Sequence, residues 1–164
     1  MLTLKARLAQ DRKHDEGFTL IELMVVVMII AVLLAIAIPT FLGTQNKAKD
    51  RSAQSSLRNT VTAAKTIYTD GSTYVTATPA ALLATEPSLT FAATDVASTK
   101  ATDVSVNTTA TVFYAAALSS SGECYYVKDD INAGTSYFKT GVAADCTGTK
   151  AAAATASFTA TGWS

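Results

Sequence analysis

Few side chains in this sequence can do chemistry, and the most conspicuous is a lone acid at the mouth of an apolar run. Glu22 directly precedes Leu23 to Ile38, a stretch with no polar residue, and Pro39 closes it. An ionisable group inside or beside a bilayer is costly and is by default a functional candidate with a partner to be named. Two cysteines, Cys124 and Cys146, lie in the distal part. Asp129, Asp130, Asn132 and Asp145 fall around or within the loop between them. Oxygen ligands in a loop can hold calcium, but these spacings match no calcium-loop rule, and a solvated turn is the plainer reading. Lys47, Lys49, Arg51, Arg58 and Lys65 form a basic set that can meet phosphates. Asp50 dilutes it and aromatic residues hardly interleave it, so a solvated helix face or contacts between chains fit better.

The same inventory speaks against catalysis. The only histidine, His14, lies in the polar segment before the apolar run, which leaves the body without the usual general base. No HExxH, GxSxG, GxxxxGK[ST] or CxxC pattern occurs. Two distant cysteines without histidine do not make a zinc site. No enzyme activity, metal or cofactor is expected.

The apolar run must be positioned by a helix. Its length suits a bilayer span. The eleven Leu, Ile and Val residues between Leu23 and Ile38 contribute on the order of −3 to −7 kcal/mol of insertion free energy, while a central carboxylate costs about 3 kcal/mol. Insertion wins, and Glu22 is carried into or beside the membrane. The basic groups before the run keep residues 1–16 cytoplasmic and send the chain beyond the helix to the other side. An ordinary secretory signal has its apolar region within the leader, which is not the order here.

Beyond Pro39 the helix is expected to continue from Phe18 to about Thr69. Pro39 deprives the Ala35 carbonyl of its partner and predicts a bend there, and Gly43 weakens the helix nearby. Leu57, Val61, Ala64 and Tyr68 then step by four, three and four along one face. Asp70-Gly71-Ser72 is a stop signal. Pro79 to Thr85 predicts a short helix with proline in its first turn. Strands are expected at Leu89–Ala93, Val104–Val106, Thr111–Leu118, Cys124–Lys128, Tyr137–Val142 and Ala156–Thr161. Their short connections favour antiparallel pairing. Ala151–Ala154 reads as a loop or strand approach. Trp163 is expected to close the core as a packing anchor. With a membrane segment upstream, a disulfide between Cys124 and Cys146 is the economical reading. The fold class is α+β: a long amino-terminal helix, apolar in its first half and amphipathic in its second, packed on an antiparallel sheet.

Gly17-Phe18-Thr19-Leu20-Ile21-Glu22-Leu23 followed by the apolar helix resembles the type III signal of prokaryotic type IV pilins and their relatives. The resemblance runs from Gly17 to about Phe41, and beyond that it is architectural. The Tyr74-to-Leu89 segment and Gly122-Glu123-Cys124-Tyr125-Tyr126 are similar to pilins of some Gram-positive lineages. The resemblance implies that a prepilin peptidase cuts after Gly17 and that Phe18 becomes the N-methylated amino terminus. It implies three segments: a leader at 1–17, a transmembrane and filament-core helix half at 18–42, and an extracytoplasmic globular domain at 43–164. The processed chain carries nine basic and ten acidic residues, so its net charge is near zero and suggests no strong attraction to nucleic acid. Its implied partners are further copies of itself in a helical filament, the peptidase, the membrane, and an assembly platform driven by an ATPase. Its implied location is the cytoplasmic membrane before assembly and the cell surface after. Glu22, one helical turn from the new amine of Phe18, is the acid expected to align incoming subunits. The alternatives are a pseudopilin of a secretion or DNA-uptake system and a membrane-anchored binding domain that never polymerises.

Overall fold

The computed structural model describes residues 17–141 and 143–163. The chain divides into two compact units, Met1–Leu42 and Gly43–Ser164. The expectations for residues 1–16, including His14, lie outside the described residues.

A single helix, α1, runs Leu20–Gly71. It begins two residues later than Phe18, because Thr19 caps it: the Thr19 hydroxyl accepts from the Glu22 N–H at 3.2 Å. It ends where Ser72 takes a positive φ of 52°. In the first unit the described part of α1 is exposed along its whole length. In the second unit α1 buries Ala53, Ser56, Leu57, Thr60, Val61, Ala63 and Ala64. The two polar members are satisfied within the helix. The Ser56 hydroxyl donates to the Ser52 carbonyl at 3.2 Å, and Thr60 donates to Ser56 at 2.8 Å. With its hydroxyl turned back onto the helix, each presents a small surface that packs like alanine.

The chain then makes a short 3₁₀ turn, Tyr74–Thr76, and a helix α2, Pro79–Thr85. Five strands come next: β1 Thr90–Ala92, β2 Asp103–Thr108, β3 Val112–Leu118, β4 Cys124–Asp130 and β5 Gly134–Thr140. They form one sheet in chain order. β2 to β5 pair antiparallel, as expected, but β1 is parallel to β2, with Phe91 opposite Val104. The segment 93–102 is long enough to carry the chain back across. It is held by its own turns and by Ser98, whose N–H donates to the Cys146 carbonyl at 2.8 Å and whose hydroxyl accepts from the Leu118 N–H at 2.8 Å.

Both faces of the sheet are covered. On one face Ala53, Leu57, Val61 and Ala64 of α1 pack with Val104, Phe113, Tyr125 and Val127. On the other, Tyr114, Ala116 and Tyr126 pack with Cys146 and Ala151. The cover on that second face is α3, Gly148–Ala153, capped by Thr147. Ala151–Ala154 is therefore mostly helix rather than loop, in line with the helix preference of alanine. Gly148 is required there, since a Cβ would lie 2.6 Å from the backbone carbon of Val106.

The expected strand Ala156–Thr161 does not form. Thr155–Ser157 is a 3₁₀ turn, and Thr159 makes one isolated bridge to Tyr137. The tail crosses the β5 edge instead of running along it. Phe158 stacks near Phe138 on one face, at 6.1 Å between ring centroids, and Trp163 meets Tyr137 at 4.4 Å. β5 starts earlier than Tyr137, and Val142 lies outside the described residues.

Candidate functional site

Gly17, Phe18 and Thr19 precede α1 without helical structure, and all three are exposed. Thr19 organises the helix start. Its hydroxyl takes the Glu22 N–H, and its carbonyl accepts from Leu23 N at 3.2 Å. Thr19-Leu20-Ile21-Glu22 has the spacing of a capping box, and this spacing is the signal by which the cap could have been found in the sequence. Glu22 thus stands in the first turn of α1, where the helix dipole favours a negative charge.

Among the described residues nothing covers the apolar residues after Glu22, nor the phenylalanine before it. Phe18 is 78% exposed and Ile36 68%. This helix is long and apolar enough to cross a membrane, and none of its most apolar window is buried. A surface of that extent marks a membrane or protein contact. Pro39 lies inside α1, which continues through it. The neighbouring Thr40 hydroxyl donates to the Ile36 carbonyl at 3.0 Å.

In the second unit Cys124 and Cys146 are joined as a disulfide, with Cα atoms 5.5 Å apart. The four loop oxygens considered for calcium are not brought together. Asp129 points toward α1 and is taken by protein groups. Asp130 accepts from the Asn132 N–H at 2.9 Å in the β4–β5 turn. Asp145 pairs with Lys150 at 3.4 Å. Among the described residues no group of three or more His, Cys, Asp or Glu could hold a metal ion.

Asp129 anchors a cluster that sequence reasoning missed. It is 2% exposed. The Tyr74 hydroxyl donates to it at 2.5 Å, the Thr135 hydroxyl at 2.5 Å, and Lys65 Nζ lies 2.9 Å away. Burial pushes its carboxyl up, but the hydrogen bonds from Thr135, Tyr74 and Lys65 and the charge of Lys65 outweigh that and hold it below the ordinary value. Burial first, then the bond to Asp129, pushes Tyr74 far up. A carboxyl lowered in the folded state stabilises the fold above its unfolded pKa, near 3.9, and that contribution is lost as pH falls through the folded value. Urea unfolding of the whole chain in detergent should therefore show stability falling below about pH 4. Asp129→Asn should cost about 2 kcal/mol at neutral pH and flatten that acid limb. An unchanged acid limb in Asp129→Asn would assign the loss to other carboxylates.

Of the basic set, Lys65 is engaged by Asp129, and Arg58 lies 5.1 Å over the Trp163 ring. Lys47, Lys49 and Arg51 are exposed. Trp163 is half-buried, and its Nε1–H donates to the Tyr126 carbonyl at 2.8 Å, which makes it a packing anchor. Asp50 accepts from Ser119 at 2.8 Å and also from Ser121, tying α1 to the β3–β4 turn.

Residues 12–38 match the family model described as the prokaryotic N-terminal methylation motif. The chain is 41% identical over 68 residues to the type IV major pilin protein PilA of Myxococcus xanthus, an alignment covering 42% of this chain and 31% of that protein. It is 37% identical over 71 residues to the type IV wide pilus major component PilA4 of Thermus thermophilus, covering 43% and 53%. It is 38% identical over 45 residues to the competence protein ComGC of Halalkalibacterium halodurans, covering 27% and 44%. The chain thus spans from just under a third to about half the length of the curated relatives it matches. No solved structure gives a significant match. The capped helix start, its bare apolar continuation and these alignments lead to one statement: the chain carries the prokaryotic N-terminal methylation motif at residues 12–38 and is similar, over about two-fifths of its length, to type IV pilins.

Proposed function

We propose that this protein is a structural subunit of a type IV pilus-like filament and has no enzymatic activity. It is made as a precursor with residues 1–17 as leader, held in the cytoplasmic membrane by residues 18–42, and displays residues 43–164 outside. A prepilin peptidase cuts after Gly17 and methylates the amine of Phe18. An assembly platform with its ATPase then draws the subunit into a filament on the cell surface. The observation that carries this reading is the exposed apolar half of α1, entered through Gly17-Phe18-Thr19 and carrying Glu22 in its first turn. That surface suits lipid before assembly and the same helix half of other copies after it. Pro39 gives the helix a point of bending as it leaves one environment for the other. Contacts that repeat head to tail without closing a ring generate a helical fibre. The match to a competence protein covers 27% of this chain, less than either pilin match, and supports the DNA-uptake alternative only weakly.

Processing tests this directly. A peptidase that requires glycine before the cut must fit a residue without a side chain, and nothing lies within 4 Å of a Cβ built on Gly17. Gly17→Val therefore leaves the fold of the precursor intact, and uncut precursor should accumulate in the membrane. Mature protein beginning at Phe18 from this variant would contradict the assignment.

A further inference from the structure

We infer that Thr19 is a positioning residue for precursor cleavage: its hydroxyl keeps the scissile Gly17–Phe18 bond out of helix α1. The inference rests on the processing reading above.

A peptide bond inside a helix is a poor protease substrate, because its carbonyl is hydrogen-bonded along the axis and side chains flank it. Nothing in Phe18 itself stops α1 from extending: it is apolar, like Leu20 and Ile21 of the first turn. Lengthening α1 by one residue needs the Glu22 N–H to bond the Phe18 carbonyl. Lengthening it by two needs the Ile21 N–H to bond the Gly17 carbonyl, which belongs to the scissile bond. The first of these donors is already taken. The Glu22 N–H is 3.2 Å from the Thr19 hydroxyl, and the first backbone helical bond runs from Leu23 N to the Thr19 carbonyl at 3.2 Å. Helix growth therefore stops at Leu20, and Gly17, Phe18 and Thr19 stay exposed and non-helical.

The hydroxyl, not the size or branching of the side chain, is what acts. Thr19→Val keeps the shape and removes the acceptor; Thr19→Ser keeps the acceptor and removes the methyl. Loss of an N-cap shifts the local equilibrium about fivefold. With full-length precursor in vesicles and purified prepilin peptidase, kcat/KM for cleavage after Gly17 should fall, by up to about fivefold, in Thr19→Val and return to the wild-type value in Thr19→Ser. Carbonyl and Cα chemical shifts of Gly17 and Phe18 should move toward helical values in Thr19→Val alone, a change that a lost enzyme contact would not produce. Equal cleavage of Thr19→Val and wild type overturns the inference, as does a slow Thr19→Ser with a fast Thr19→Val. A wild-type chain that is not cut after Gly17 overturns the processing reading instead, so the two failures are distinguishable.

Discussion

Glu22→Leu, as the sole copy, should insert, be cleaved after Gly17 and yet yield no filaments or very few. The change makes α1 more apolar, so insertion is helped rather than hindered. After the proposed cleavage the wild-type chain would begin with the amine of Phe18, with Glu22 one turn further on. Carried into an apolar filament core, either charge alone costs at least several kcal/mol, and an opposite charge close by offsets much of that. We assign as the partner of Glu22 the Phe18 amine of a neighbouring, already assembled subunit. Glu22→Leu leaves that amine unpaired, so docking loses on the order of 3 kcal/mol or more, over a hundredfold in equilibrium. Immunoblots of membrane and sheared fractions separate the steps. Normal filament yield with Glu22→Leu would show that Glu22 is only an interfacial acid reaching the headgroups.

The second large effect is at the disulfide. Cys124 and Cys146 are both fully buried and lie 22 residues apart in sequence. The chain-entropy model assigns closure of such a loop roughly 3 kcal/mol, a large share of a small domain's stability. The bond also fastens the segment that bears α3 to the start of β4, and the Cys146 carbonyl receives the Ser98 N–H. Cys124→Ala with Cys146→Ala should lower Tm by about 10 °C, and amide exchange should quicken first in α3 and at Ser98. A melting point within a few degrees of the wild type would mean that the packing of Ala151 with Tyr114, Ala116 and Tyr126 holds that segment without the bond.

The first half of α1 was legible because its chemistry is carried by neighbours in sequence. A run with no polar residue from Leu23 to Ile38 needs no tertiary partner to be recognised, and Glu22 is conspicuous against it. The amphipathic half was legible in Leu57, Val61 and Ala64 and less so in Ser56 and Thr60. Those two are polar by residue type, but their hydroxyls are turned onto the helix backbone and their surfaces are buried. Strand boundaries were harder, since β3 is covered on both faces. Phe113, Ala115 and Ala117 face α1 while Tyr114 and Ala116 face α3, so Val112 to Leu118 reads as one apolar run with no alternation. The parallel pairing of β1 comes from the fold of segment 93–102, whose anchors, Cys146 and Leu118, are distant in sequence. The Asp129 cluster was hidden for the same reason. Lys65, Tyr74, Asp129 and Thr135 come from four separate stretches, and the aspartate reads as a turn residue until α1 is laid over the sheet. The tail reads as a strand because Phe158 and Thr159 have strand-forming side chains, while its route across the β5 edge is set by where Phe138 and Tyr137 sit.

The most direct test of the central claim is the intact mass and amino-terminal sequence of subunits in filaments sheared from cells expressing this chain. The expected result is a chain beginning at Phe18, with a methyl group on its amine and the Cys124–Cys146 bond closed. Filaments that lack the chain, or a surface form that still carries residues before Phe18, would contradict it.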